Sequence, residues 1–102
     1  MNNSEIAHIL AELGNETRLE IFRLLIKAEP AGLPIGQIGD TLSLPASTLA
    51  FHLKGLVGAK LVSQEKKGRS VLCHADLAAL NSVLILLQDE CCIDQPSPDM
   101  DP

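Results

Sequence analysis

Residues 34–57 of this chain read PIGQIGDTLSLPASTLAFHLKGLV, a stretch that contains two apolar patterns at helical spacing. Pro34 and Pro45 each stand where a helix can begin, and the short Ser43-Leu44 connection separates the two patterns. The segment therefore predicts two short helices joined by a tight turn. The predicted packed positions are Ile35, Ile38 and Leu42 in the first helix and Leu49, Leu53, Leu56 and Val57 in the second.

The second of these helices has a face that is free to contact another molecule. A helix of this size fits the roughly 12 Å wide major groove of B-DNA and directs its first side chains at the base edges. We therefore predict contacts with double-stranded DNA from Ser47, Thr48, Phe51, His52 and Lys54. The alternatives are ordinary first-turn polar residues for Ser47 and Thr48, and a partly buried surface histidine for His52.

Two strand-like runs follow, over residues 61–66 and 70–74, and Lys67-Gly68-Arg69 joins them. This pattern predicts a β-hairpin with a cationic tip, whose Lys66, Lys67 and Arg69 would contact DNA phosphates. A solvated turn is the alternative for these three side chains. The net charge of the chain is −5, but residues 54–69 hold five basic residues and only one acidic residue, Glu65, so the basic patch is local.

Three further helices are predicted around this segment. Their predicted bounds are Ser4 to Gly14, the cap Asn15 to the break at Pro30 and Gly32, and the cap Asp76 to about Cys91. Their main apolar positions are Leu19, Phe22, Leu25 and Ile26 in the second helix and Leu77, Leu80, Val83, Leu84 and Leu87 in the last. The element order α-α-α-α-β-β-α predicts a mainly α winged helix-turn-helix fold.

The length and composition indicate one small domain. The chain has 102 residues, lacks Trp and Tyr and has two Phe, so its core is expected to be aliphatic. We place the domain at residues 1–92 and expect a homodimer, because so small a core leaves modest stability. Residues 93–102 contain three prolines and three aspartates and predict a disordered acidic tail.

The sequence favours a cytoplasmic protein without a membrane partner. The N-terminus has no cationic stretch leading into an apolar run, and the longest apolar run, residues 83–87, is far shorter than the roughly 20 residues that span a bilayer. The three cysteines are an odd number with an adjacent pair, which does not suit a disulfide framework. We expect them to be thiols in a reducing compartment.

Four segments of the chain together carry a family resemblance: residues 14–21 (GNETRLEI), 44–56 (LPASTLAFHLKGL), 59–62 (AKLV) and 67–70 (KGRS). They resemble the ArsR/SmtB family of bacterial metal- and metalloid-responsive repressors, and the resemblance covers roughly residues 5–92. It implies a homodimer, held by the first and last helices, that blocks a promoter until an inducer binds. Ala46, Ala50 and Phe51 depart from the residues common in the family, which leaves the operator sequence open.

Two inducer sites common in the family have no counterpart here. The predicted helix that begins at Pro34, which precedes the helix predicted to contact DNA, lacks a Cys-x-Cys motif. No histidine follows His74 to complete a zinc site on the last helix. The remaining candidates are Cys73, Cys91 and Cys92, and three thiolates suit trivalent arsenic or antimony better than four-coordinate Zn²⁺. The arrangement of one cysteine on the second hairpin strand and a Cys-Cys pair at the end of the last helix also resembles the subset of this family that responds to trivalent organoarsenicals.

We therefore predict no permanently bound cofactor, and trivalent arsenic, as arsenite or methylarsenite, or antimonite as inducer. Methylarsenite needs only two sulfur ligands, so the adjacent pair alone would hold it. A last helix from about Asp76 to Cys91 would be roughly 22 to 24 Å long, which separates Cys73 from the pair within one chain. Antiparallel packing of two last helices would instead join Cys73 of one subunit to Cys91 and Cys92 of the other. A folded-back C-terminus remains the intrasubunit alternative.

Three other roles for the thiols remain open at this point. Cys73 is a small buried hydrophobic residue in the simplest alternative. In a second, the same fold is a thiol redox sensor, although adjacent cysteines form strained disulfides. In a third, the pair serves a small thiol-dependent enzyme, but the chain has neither a Cys-x-x-Cys motif nor a cofactor loop. We therefore predict that the protein is not an enzyme.

Overall fold

Five helices and a three-stranded antiparallel sheet make up residues 1–93, the part of the chain that the computed structural model describes. The elements are α1 (Asn3–Leu13), α2 (Glu16–Ala28), β1 (Leu33–Pro34), α3 (Ile35–Leu42), α4 (Ala46–Gly58), β2 (Val62–Lys67), β3 (Ser70–Ala75) and α5 (Ala78–Asp89). The predicted mainly α winged helix-turn-helix is confirmed. Except for Ile93, the predicted acidic tail lies outside the described residues.

The sheet contains one strand that the sequence did not predict. The β2–β3 hairpin pairs Val62 with Ala75 at its base and Lys67 with Ser70 at its tip, close to the predicted bounds. The added strand, β1, pairs Leu33 with Cys73, so the strand order is β1-β3-β2 and β3 is central. A two-residue strand containing proline has no alternating pattern that would identify it in the sequence.

The core is aliphatic, as expected, and lies where α2, α4 and β3 meet. Ile21, Phe22 and Leu25 of α2 are at most 2% exposed, and Leu49, Leu53 and Leu56 of α4 cover the same region. Leu61, Val62 and Cys73 close this core from the side of the hairpin.

Three of the apolar positions predicted to pack are on the surface instead. Leu19, Ile26 and Val57 are 40%, 37% and 37% exposed, while Ile21, which the predicted stripe left out, is fully buried. The buried face of α2 consists of Ile21, Phe22 and Leu25 and is narrower than the apolar stripe. Leu19 and Ile26 therefore lie at the margins of that face.

The junction of α1 and α2 is held by Asn15 and Arg18. The Asn15 side chain accepts a hydrogen bond from the Arg18 backbone N–H at 3.1 Å, as predicted for a cap. The Arg18 Nε–H donates to the Glu12 carbonyl at 2.8 Å. Nε also lies 3.1 Å from Glu12 Oε1, but this oxygen accepts no hydrogen bond among the described residues, so the carboxylate and the guanidinium are paired by charge. Arg18 thus satisfies the end of α1 and fixes it against α2.

The first helix begins two residues earlier than predicted. Asn2, not Ser4, is its cap: the Asn2 side chain accepts from the Glu5 N–H at 2.8 Å, and the Glu5 carboxylate accepts from the Asn2 N–H at 2.9 Å. This reciprocal pair satisfies two backbone donors, which a cap at Ser4 would not do as well.

The last helix is shorter than predicted and little of it is buried. It spans Ala78–Asp89, about 18 Å, and Asp76 accepts a hydrogen bond from the Ala78 N–H at 2.9 Å just before it. Val83 is its only fully buried residue, whereas Leu84, Ile85 and Leu87 are 44–56% exposed. The apolar surface of α5 is therefore largely uncovered in a single chain.

The hairpin is joined to the end of α2 through Glu29 and His74. The Glu29 carboxylate accepts from the Ala75 N–H at 3.0 Å and lies 3.2 Å from His74 Nδ1, while Glu65 lies 3.5 Å from His74 Nε2. Gly32 lies directly beneath this group with a φ of 75°, and a Cβ there would come within 2.9 Å of the imidazole ring and of the Cys73 carbonyl oxygen. Position 32 therefore requires glycine.

Two glycine-to-alanine substitutions should have opposite effects on stability. Gly32→Ala should lower the free energy of unfolding by more than about 1 kcal/mol, because it adds left-handed strain and a collision with backbone. Gly36→Ala is the matched control: that helical position has no atom near a new Cβ, so alanine should stabilise by roughly 0.5–1 kcal/mol. Urea unfolding at one fixed protein concentration measures both, and equal effects would contradict the local explanation.

Candidate nucleic-acid interface

The turn before α4 determines how that helix enters the fold. Ser43 adopts a left-handed conformation, with φ 56° and ψ 46°, and ends α3 as predicted. The Leu44 N–H donates to the Gly39 carbonyl at 2.9 Å, and a Cβ at Gly39 would lie only 3.3 Å from the Leu44 carbonyl oxygen. This close approach keeps the connection short, so α4 starts immediately beside α3.

One side of α4 is buried and the other is open to solvent. The buried side consists of Leu49, Leu53 and Leu56. The exposed residues before Gly55 are Ala46, Ser47, Ala50, Phe51 and Lys54. Of the residues predicted to contact DNA, Ser47, Phe51 and Lys54 thus lie on the open face, and Thr48 and His52 are half-buried beside it.

His52 has the environment that was the alternative to a DNA contact. Its ring is half-buried and packs edge-to-face against Phe51, with 5.4 Å between the ring centroids. Its Nδ1 atom is buried and has no hydrogen-bond partner among the described residues. A contact from His52 to DNA therefore stays a prediction.

The β2–β3 hairpin is the wing of this fold, and the cations at its tip are exposed to solvent. Lys66, Lys67 and Arg69 are all exposed, and Gly68 forms the turn with a φ of 60°. Lys67 approaches Glu65 at 4.0 Å, but both side chains are more than half exposed, so this pair is weak. Because β2 packs against α4, the basic hairpin is held beside that helix.

The three thiols have very different surroundings. Cys73 is fully buried in the core, where burial raises the pKa of its thiol and a 3.7 Å contact from the Gln64 amide lowers it to a smaller extent. Cys91 and Cys92 are exposed in the turn after α5, and their Sγ atoms are 3.4 Å apart. Only the adjacent pair is therefore accessible to a ligand in this conformation.

A single chain does not bring the three cysteines together. Within residues 1–93, no three His, Cys, Asp or Glu side chains are grouped closely enough to hold a metal ion. His74 does not complete such a group, because its two ring nitrogens face different carboxylates, those of Glu29 and Glu65.

Among the helices of residues 1–93, none combines the length and apolar character that crossing a bilayer requires.

Comparison with known proteins agrees with this architecture. A family model described as a helix-turn-helix domain matches residues 13–65, which include α2, α3, α4 and the start of the hairpin. An ArsR-like transcriptional regulator from Rhodococcus sp. RHA1 is 30% identical, with a TM-score of 0.75 over 84% of this chain and 78% of that one. No curated protein matched the sequence.

Two further solved structures are similar. The transcriptional repressor PagR of Bacillus anthracis is 26% identical, with a TM-score of 0.66 over 82% of this chain and 93% of that one. The homodimeric winged helix-turn-helix DNA-binding domain from Mycobacterium bovis is 22% identical, with a TM-score of 0.68 over 85% of this chain and 81% of that one, and so supports the fold alone.

These matches also confirm the prediction that the protein is not an enzyme, since the family and its structural neighbours are regulators. The chain belongs to the ArsR family of helix-turn-helix transcriptional regulators.

Proposed function

We propose that this protein is a homodimeric repressor that binds operator DNA through α4 and the wing, and that releases it when trivalent arsenic bonds to cysteine thiolates. The observation that carries the DNA-binding part is the open face of α4 beside a hairpin tip with three exposed cations. The finer part, the nature of the inducer, is supported by the exposed adjacent thiols after α5.

The electrostatics favour a nucleic-acid partner at this surface. Residues 54–69 hold five basic residues against Glu65 alone, although the chain as a whole is acidic. Lysine and arginine at a hairpin tip neutralise phosphates and position the protein, while the helix beside them reaches base edges. The transcriptional repressor PagR, which is 26% identical, supports repression as the mode of action.

The dimer is supported by uncovered apolar surface on α1 and α5. Leu10 of α1 is 43% exposed, and Leu84, Ile85 and Leu87 of α5 are 44–56% exposed. A second copy packed on these helices would bury this surface and present two copies of α4 to successive major grooves. The Mycobacterium bovis domain of the same fold is a homodimer, which agrees with this arrangement.

The adjacent thiols fit a thiophilic ligand that takes two sulfurs. With 3.4 Å between their Sγ atoms, Cys91 and Cys92 can bond to the same arsenic atom. Methylarsenite keeps one As–C bond and therefore requires only two sulfur ligands. Arsenite would take Cys73 as its third ligand, from the same or the partner subunit. Because Cys73 is buried, that ligand requires β3 to open first, so we assign the adjacent pair the primary role.

The proposed coupling runs through the dimer. The thiols follow α5, and α5 carries three exposed large apolar side chains, those of Leu84, Ile85 and Leu87. Arsenic bonded there would favour a dimer geometry in which the two copies of α4 no longer match successive grooves. A coupling free energy of 1–3 kcal/mol would weaken operator binding roughly 5- to 150-fold, which suffices for derepression.

The wing cations should determine the salt dependence of DNA binding. Arg69→Ala should weaken binding to a duplex from upstream of the protein's own gene and reduce the slope of log K against log salt by about 2, because the dimer then neutralises two phosphates fewer, one in each subunit. Lys27→Ala, an exposed lysine on α2, is the matched control and should leave both quantities unchanged. Fluorescence anisotropy at several salt concentrations gives the slopes. If the reduced wild-type protein binds no duplex at low salt, the DNA-binding function is wrong.

Methylarsenite should release the DNA, and the release should need the adjacent pair. In a gel-shift titration, the wild-type protein should lose affinity roughly 5- to 150-fold, and a Cys91→Ser/Cys92→Ser variant should not respond. Cys73→Ala should still respond to methylarsenite but less to arsenite. Release by peroxide, with no release by either arsenical, would support a redox sensor and contradict the proposed inducer.

The thiols should differ in reactivity in the native state. Cys91 and Cys92 should react rapidly with a chromogenic disulfide reagent at neutral pH, while Cys73 should react only after denaturation. Burial and the raised pKa of Cys73 both reduce its accessible thiolate. Counting the fast-reacting thiols in the wild type and in Cys73→Ala measures this. A fast third thiol in the wild type would show that β3 opens readily.

A further inference from the structure

The open face of α4 is mostly apolar, which is unusual for a surface that meets DNA. Of its five exposed residues before Gly55, Ala46, Ala50 and Phe51 carry only methyl or phenyl groups. Phe51 is 69% exposed, whereas the other phenylalanine, Phe22, is 2% exposed in the core. A large aromatic ring held in solvent in the free chain is unfavourable, so its exposure suggests that a partner covers it.

The core of its own chain cannot be that partner. Phe51 lies on the side of α4 opposite to Leu49, Leu53 and Leu56, whose burial fixes the rotation of the helix. Among the described residues, the ring has an aromatic contact only with His52, which is itself half-buried and lies on the same helix. The phenyl group therefore remains available at the surface, directed away from the core.

The surrounding charge favours DNA over a protein as the partner. Lys54 stands three residues further along α4 on the same open face, and β2, which packs against α4, leads to Lys66 and Lys67. An apolar patch flanked by cations matches the major groove, where phosphates line the edges and apolar groups occur inside. The apolar group that the major groove presents is the C5-methyl of thymine, and phenylalanine and alanine side chains pack against it.

We propose that Phe51, together with Ala50, reads thymine methyl groups, and that Phe51 is a main determinant of operator sequence. This inference rests on the proposed DNA-binding function and adds the base that the helix prefers. Ser47 is the only exposed hydrogen-bonding side chain in the first two turns of α4, because Thr48 and His52 are half-buried, so polar readout is limited. Packing on methyl groups supplies discrimination that a hydroxyl alone does not.

The experiment removes the methyl group and leaves the hydrogen-bonding edges of the base pair unchanged. A duplex is first selected from a random-sequence library with the wild-type chain and then synthesised in two forms, with thymine or with uracil at the same positions. Wild type should bind the uracil form about fourfold more weakly for each methyl group that the helix buries in the thymine form. Anisotropy titration at one salt concentration gives both affinities and their ratio.

Two variants assign the effect to a residue. Phe51→Ala should bind the thymine duplex more weakly and bring the thymine-to-uracil affinity ratio close to one. Since Phe51 is 69% exposed, this variant should keep the wild-type melting temperature, which circular dichroism checks. Arg69→Ala is the matched control, because removing a cation that pairs with a phosphate should weaken binding to both duplexes equally and preserve the ratio.

The outcomes separate this inference from the function on which it rests. If no duplex is enriched, the protein does not bind DNA and both proposals fail. If wild type binds both duplexes equally well, DNA binding stands and methyl readout is wrong. If the ratio persists in Phe51→Ala, the methyl groups are read by another residue and the role assigned to Phe51 is overturned.

Discussion

The burial of one leucine stripe determines what α4 can present to a partner. Leu49, Leu53 and Leu56 are at most 2% exposed and pack toward α2. Because side-chain direction on a helix follows from position, this packing turns Ala50, Phe51 and Lys54 to solvent. The short turn at Ser43 fixes the start of the same helix, so both its entry and its rotation are set by the core.

Most of the element order could be predicted because its signals are local. Pro34 and Pro45 precede helices, Asn15 caps one, and the Lys67–Ser70 closure of the hairpin is a short turn with glycine at a positive φ. The errors have tertiary causes. The strand β1 exists because β3 offers it a partner. Leu19 and Val57 lie at the margins of the faces that their helices bury, and helical periodicity does not reveal how wide a buried face is.

The candidate site also contains features that the sequence could predict and one that depends on tertiary packing. The exposure of the wing cations and of Phe51 agrees with the sequence-based prediction, since a hairpin tip and the side of a helix opposite its leucine stripe face solvent in most folds. The burial of Cys73 could not be predicted in this way, because the sequence of one strand does not say which of its faces is covered. Pairing with β1 and β2 makes β3 the central strand, and the face that carries Cys73 is the one turned to the core.

The position of the adjacent thiols has a physical consequence for control. Val83 alone anchors α5 fully in its own chain, so a partner subunit would supply much of the contact that holds this helix. A ligand bonded immediately after α5 can then shift the helix without disturbing the core formed by α2, α4 and β3. In the proposed mechanism, the core keeps the shape of the DNA-facing surface constant, while α5 changes the distance between two such surfaces. This separation of tasks would allow a coupling of a few kcal/mol to act on DNA binding without unfolding the domain.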